Sequence, residues 1–368
     1  MKCDKKNTIE IFFALLRGGL WPDSEAIADS LPNLGAVNWQ GVYQLAREQS
    51  VLGLVLSGIE RLPLEQRPPK MLLLQWTGEV LMVEWQNKRI NQELAEFSAL
   101  CEKEGLEYFV VKGQTVGCLY PKPGLRQGGD IDFLMHEGRN LVSDFSRTLH
   151  VDIPKMVEYE VGFDRNDIRF ELHTSLRGWA TKRHQQVWDE LIEKEWSKCH
   201  FVEIDGVRVR TLSPTANAAY IFIHMFFHFM REGVSLRQIC DWAMVLHHYK
   251  DKINRDKLMT MLLDLDMFDA YCAFESILFD KIGLPTRELV VPIRDEDRKW
   301  QGRILRDIFR GGNFGRLNHQ AHSSLKYKME TMRVVMRNTF RYYRLCPSEV
   351  GGMILRLVKV NWRIMFNK

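Results

Sequence analysis

Asp130 and Asp132 stand two residues apart at the head of an apolar run, Ile131 followed by Phe133-Leu134-Met135, directly behind Gly128-Gly129. In a strand, residues two apart point to the same side, so both carboxylates project together. Two carboxylates held that close repel each other unless a cation or a proton lies between them. Mg²⁺ is the economical cation, because it is hard and takes carboxylate and phosphate oxygens. Further on, Ile168-Arg-Phe-Glu-Leu-His173 alternates, with Arg169, Glu171 and His173 on one face and Ile168, Phe170 and Leu172 on the other. The apolar face must pack, so the polar face looks into a cleft or solvent. If this strand lies beside Ile131–Met135, Glu171 becomes a third carboxylate near Asp130 and Asp132. Three carboxylates can hold two Mg²⁺ ions for in-line phosphoryl or nucleotidyl displacement.

Other residues have chemistry to offer, each with a plainer alternative. Lys112 either neutralises phosphate or pairs with a carboxylate. Arg126 either clamps a triphosphate bidentately or solvates a loop. His173 lines the cleft or pairs with Glu171. His224 and His228, four apart, share a helix face suited to a metal, but with no third ligand in view they line a helix interface. Arg237 and Asp241, also four apart, read first as an intrahelical ion pair and second as a cleft wall that touches substrate. His247-His248 reads as surface.

The elements that must position these groups follow from periodicity. Residues 1–104 read as helical, with Ile9, Ile11, Phe12, Leu15 and Leu16 on one face and a long helix from about Lys70 to Glu104 ending near Gly105. Glu107–Lys112 is a short buried strand that runs into Lys112-Gly113. Residues 136–150 have helical spacing. Lys155–Phe163 and Ile168–His173 form a hairpin around Asp164–Asp167. Phe201–Ile204 and Val207–Thr211 form another around Asp205-Gly206. Ser213-Pro214 opens a helix, Ser as N-cap and Pro at the first position, and the chain then reads as helical to its end. The expected organisation is α+β: an N-terminal helical region (1–104), a small mixed-sheet core (105–211) and a C-terminal helical region (212–368).

The pattern V-V-K-G-Q … R-Q-G-G-D-I-D-F-L … F-E-L-H resembles the polymerase-β-like nucleotidyltransferase superfamily, and within it an uncharacterised bacterial nucleotidyltransferase family. The resemblance covers residues 105–211 and implies a nucleotidyltransferase core. It implies that Lys112-Gly113 takes the phosphate-loop position, with Gln114, Arg126 and Gly129 also toward the nucleotide. It further implies that Asp130 and Asp132 bind metal, and that Glu171 completes the site as ligand or base. Gln114 stands where the superfamily has Gly or Ser, and the connection from Gly113 to Asp130 is long.

Composition is that of an ordinary globular protein, 45% hydrophobic and 27% charged over 368 residues. Seven scattered cysteines, none in a C-x-x-C pair, read as reduced thiols of a cytoplasmic protein without a disulfide framework or zinc site. The N-terminus does not read as a signal peptide. The most apolar segment, Ala218–Met230, is too short to span a bilayer, so no transmembrane segment is expected. Net charge is +4, with 14 Lys/Arg against 3 Asp/Glu in residues 301–368 and a net −7 before them. That basic end suits an anionic partner or a set of solvated helix faces. Arg333, Arg337, Arg341 and Arg344 recur at helical steps, and 350–366 is more apolar.

The sequence therefore leads to a Mg²⁺-dependent nucleotidyltransferase that moves NMP from an NTP to a hydroxyl of a small molecule, sugar, protein or RNA. The two alternatives are a nucleotide-binding scaffold whose catalysis has decayed, motivated by Gln114 and the long loop, and a module that binds RNA or an anionic membrane through the basic C-terminal helices.

Overall fold

The computed structural model of the chain describes residues 2–23, 37–136, 146, 160–173, 175–176, 178–198, 200–312 and 324–352. The helix expected over 136–150, the start of the strand expected from Lys155, and the stretch 353–368 lie outside these residues.

Two compact units result, each made of more than one segment. The first comprises Met1–Thr174, Phe201–Thr211 and Lys281–Gly283. It begins with helices α1 (Lys2–Leu20), α2 (Trp39–Glu48), α3 (Leu52–Ile59) and the long α4 (Lys70–Lys103). Helix α4 ends where expected, followed by Gly105 at φ +66. Strand β1 (Tyr108–Val111), short helix α5 (Gly113–Gly117), and strands β2 (Asp130–Met135), β3 (Glu160–Arg165) and β4 (Ile168–His173) follow. The sheet order is β1-β2-β4-β3. β1 runs antiparallel to β2, β2 parallel to β4, and β3 antiparallel to β4, so the sheet is mixed. The β3–β4 turn is Asn166-Asp167, both at positive φ (48 and 60), as a tight hairpin requires. Asp205-Gly206 turns the second hairpin, β5 (His200–Ile204) and β6 (Val207–Thr211), in the same manner.

Alternation in β2 and β4 decides what each sheet face does. Ile131, Phe133 and Met135, with Ile168, Phe170 and Leu172, pack against Ile90, Leu94, Phe97 and Cys101 of α4. Phe97 sits at the centre, its ring 4.6 Å from that of Phe133 and 5.5 Å from those of Tyr108 and Phe170. The opposite face carries Asp130 and Asp132, and Arg169, Glu171 and His173. The expected boundary at residue 104 therefore does not part the helices from the sheet: α4 supplies one wall of the sheet's core, and both lie in one unit.

The second unit comprises Ser175–His200, Leu212–Asp280 and Leu284–Lys368. Its described helices are α6 (Lys182–Trp196), α7 (Pro214–Arg231), α8 (Leu236–His248), α9 (Arg255–Asp264), α10 (Phe268–Ile277), α11 (Asp295–Gly311) and α12 (Ser324–Tyr342). Phe222, Trp242, Tyr271 and Phe274 pack ring on ring in its interior. Pro214 opens α7 as expected. Ser213 holds the N-cap position, but its side chain does not cap; its backbone N–H donates to Glu195 Oε2 at 3.0 Å instead. Arg341 of the basic stripe donates to both oxygens of Asp307, at 2.8 and 2.9 Å, which binds part of that stripe into the unit. Among the described residues no helix is long and apolar enough to cross a membrane.

Candidate active site

Strand β1 delivers the chain to Lys112, whose backbone lies at φ 57 and ψ −147, a region that side-chain-bearing residues rarely occupy. Gly113 follows at φ 44 and opens α5. Thr115 steadies the bend: its backbone N–H and its hydroxyl both donate to Lys112 O, at 3.0 and 2.7 Å. This reversal points the Lys112 ammonium at the sheet's polar face, where Nζ lies 2.7 Å from Asp132 Oδ1.

The register completes the arrangement. Asp132 is opposite Val111 on one side and Glu171 on the other, and His173 is opposite Leu134. His173 Nε2 is 2.9 Å from Asp132 Oδ1. One ligand atom each from Asp132, Glu171 and His173 lies within 4.8 Å of the others, and among the described residues this is the one cluster of three such groups. Asp130 is one pleat earlier on the same face, opposite Arg169 and outside that cluster. His173, read from sequence as lining the cleft or pairing with Glu171, also meets the central carboxylate of Asp132.

Asp132 is only 2% exposed. Burial by itself would push its carboxyl up, but the neighbouring ammonium of Lys112 and the hydrogen bond and charge of His173 outweigh it and hold the group well below the usual carboxylate range. Asp132 is thus ionised at neutral pH. A depressed folded value contributes stability that is fully present above the unfolded value of about 3.9 and is lost as pH falls further toward the folded value. Acid unfolding followed below about pH 4 without added divalent ions should therefore be steeper in the parent protein than in Asp132→Asn. Parallel acid limbs would show that Asp132 carries no such linkage.

The remaining expected residues divide. Gln114 is buried, and its Nε2 donates to Asn91 Oδ1, whose own Nδ2 donates to Asp205 Oδ2 at 2.7 Å. Arg126 is buried at 3% exposure. Its carbonyl accepts from Asn87 Nδ2 at 2.7 Å, and the same nitrogen donates to Gly124 O at 2.8 Å. The long connection before β2 is thus tied to α4 through Asn87. At Gly128 a Cβ would come within 2.8 Å of Asn87 Oδ1, whereas at Gly129 it would meet nothing within 4 Å. His224, Arg237 and Asp241 belong to the second unit, where Arg237 Nη1 donates to Asp241 Oδ2 at 3.3 Å within α8, the plainer of their two readings. The His224 and His228 rings lie 4.4 Å apart. His247, read as surface, is half-buried, and its Nδ1 lies 2.7 Å from Glu288 Oε2.

Asn87 and Asn91 were not legible as site-supporting residues. Their spacing of four on a helix that reads as regular gives one signal, a pair of short amides among good helix formers. The donor chemistry fits a hard divalent cation. Asp132 and Glu171 supply carboxylate oxygens, Glu171 is only half-buried, and His173 bonds to Asp132.

The result is an α+β unit whose sheet has one packed face and one acid-bearing face, fed by a lysine-glycine turn. The family described as uncharacterised nucleotidyltransferases matches residues 35–275, about two thirds of the chain, and the chain belongs to that family. A crystal structure of an antigenic nucleotidyltransferase-like protein from Paracoccidioides brasiliensis is similar to part of it, at 14% identity and a TM-score of 0.32, covering 48% of this chain and 86% of that one. No curated protein matches the sequence.

Proposed function

We propose that the protein transfers a nucleoside monophosphate from a nucleoside triphosphate to an acceptor hydroxyl, with release of pyrophosphate and dependence on Mg²⁺. The observation that supports this most is the pairing of Asp132 opposite Glu171, with Lys112 at the head of the same face. Asp132 and Glu171, with Asp130 on the same face, would hold one or two Mg²⁺ ions, which would offset charge on the phosphates. Lys112 and the Gly113 turn face the triphosphate, and Arg126 lies on the connection that frames them. Glu171, more exposed than Asp132, takes the proton from the acceptor hydroxyl. The acceptor oxygen forms its bond to the α-phosphorus while the bond from that phosphorus to the bridging oxygen breaks. The bridging oxygen leaves with pyrophosphate.

The test is transfer of label from α-labelled NTPs with Mg²⁺, against a panel of small-molecule, sugar, protein and RNA acceptors. Glu171→Gln should lower transfer about a hundredfold or more, the scale expected when a charge-handling group is removed. The variant should keep its parent thermal midpoint. Transfer equal to the parent's would refute the role given to Glu171.

One observation favours a second reading. Lys112 and His173 both meet Asp132 Oδ1, so that carboxylate's charge is already balanced inside the protein. A scaffold that binds nucleotide without turning it over would show an NTP-induced thermal shift and no pyrophosphate release. Measured Mg²⁺-dependent release of pyrophosphate would end that reading.

A further inference from the structure

Over its first half, α4 is apolar on two opposite faces. Trp76 and Val80 turn inward and are buried. Met71, Leu74, Leu81, Met82 and Trp85 are instead 51% to 76% exposed. At about 100° per residue these five and Gly78 fall within an arc of roughly 100°, opposite the buried face. The steps 71, 74, 78, 81, 85 alternate three and four, the spacing of a helix–helix seam. The stripe stops there. Farther along the same face the exposed residues are Lys88, Gln92, Glu96 and Ala99. A helix apolar all round is ordinarily a buried one.

We infer that this face is where a second copy of the chain docks, α4 against α4, antiparallel, about a two-fold axis near Gly78. Three observations select that occupant. The stripe is self-complementary: antiparallel pairing sets Met71 beside Trp85 of the other copy and Leu74 beside Leu81 and Met82, which is what an isologous contact needs. Lys70 and Glu84 flank the seam on one edge, and antiparallel pairing sets same-edge residues of the two copies against each other, so opposite charges meet twice; parallel pairing would put them on opposite edges, with no such contact. The exposed parts of the five side chains come to roughly 600 Å² per copy and roughly 1,200 Å² per pair, at the top of what a monomer leaves bare and at the threshold of a specific interface.

Gly78 adds a fourth observation. Within a helix glycine is a poor choice, and this chain's own fold does not call for it. A Cβ at Gly78 would meet nothing within 4 Å, unlike Gly19 and Gly58, where it would lie 1.9 Å from Leu54 O and 2.0 Å from Leu15 O. At the crossing point of two helices a missing side chain lets the backbones approach.

Sedimentation of the full chain over a concentration series tests the inference. The parent should be dimeric. Leu74→Glu/Leu81→Glu should be monomeric with an unchanged circular dichroism spectrum, since both side chains point away from the core. Gly78→Ala, which favours the isolated helix, should nonetheless weaken the dimer about tenfold. Lys70→Glu should weaken it by a similar factor, and Lys70→Glu/Glu84→Lys should restore it. A monomeric parent overturns the inference, whether the face then proves covered by another part of this chain or by a different protein. So does a dimer that survives Leu74→Glu/Leu81→Glu. Failure of the charge swap to restore association overturns the antiparallel arrangement. None of these measurements depends on nucleotide chemistry.

Discussion

Asp132→Ala is expected to destabilise the first unit by about 3–5 kcal/mol, because it strips the partner from a buried charge. Lys112 Nζ and His173 Nε2 both meet Asp132 Oδ1, at 2.7 and 2.9 Å, and the side chains of Lys112 and Asp132 are only 15% and 3% exposed. Without the carboxylate the ammonium must find water or lose its proton. Lys112→Met should cost a comparable amount for the mirror reason. The informative variant is the double one. Lys112→Met/Asp132→Leu removes both charges and should recover most of the loss, since well-packed apolar side chains often replace a buried ion pair at little net cost. Urea denaturation of the three variants provides the measurement. If the double variant were as unstable as the sum of the singles, the pair would not be the unit that carries the stability. All three should also lose nucleotidyl transfer, but Asp132→Asn, which keeps the shape, separates lost chemistry from lost fold.

Phe97→Ala should be as damaging from the other side of the sheet. Phe97 is fully buried, and its ring meets those of Tyr108, Phe133 and Phe170. Truncating it removes the plug between α4 and the sheet, at an expected cost of about 3–5 kcal/mol. The effect should reach the site as well. Phe133 and Phe170 are the chain neighbours of Asp132 and Glu171, so when those rings sink into the void the carboxylates turn with their strands. Transfer should fall in Phe97→Ala even at temperatures where the protein remains folded. Phe97→Leu, which refills most of the space, should cost less than about 2 kcal/mol and keep transfer near the parent level. Equal loss in both variants would mean that ring packing, rather than volume, holds the strands.

What could be read from the sequence was what depends on near neighbours. Period-two alternation in Ile168–His173 set Glu171 and His173 on the polar face. The Asp205-Gly206 turn announced its hairpin, and helix α4 showed both its start after Pro69 and its end before Gly105. What depends on pairing between distant segments was not legible. Nothing local says that β4 lies beside β2, or that the two run parallel in the register that sets Asp132 opposite Glu171; the sequence supports this only as a condition. The bond from His173 to Asp132 follows from that register and was missed with it. The division of the chain shifted for a related reason. The sheet cannot bury Ile131, Phe133 and Met135 alone, so the helix before residue 104 joins it in one unit. Lys112 was legible as a residue that pairs with a carboxylate or a phosphate, but the positive-φ turn that aims it at Asp132 was not, because that conformation contradicts the local preference of its residue type.

The side-by-side alignment of β2 and β4 has a further implication for how such a chain can diversify. Parallel neighbours cannot be joined by a tight turn, so a long excursion between them is unavoidable. Lengthening an excursion that is already long adds little entropic penalty. The backbone ladder from Asp130 opposite Arg169 to Leu134 opposite His173, not the intervening segment, keeps the two acids abreast. Changes in length between Met135 and Glu160 can therefore be absorbed while Asp132 and Glu171 stay opposite each other, because the ladder and not the connection fixes their register.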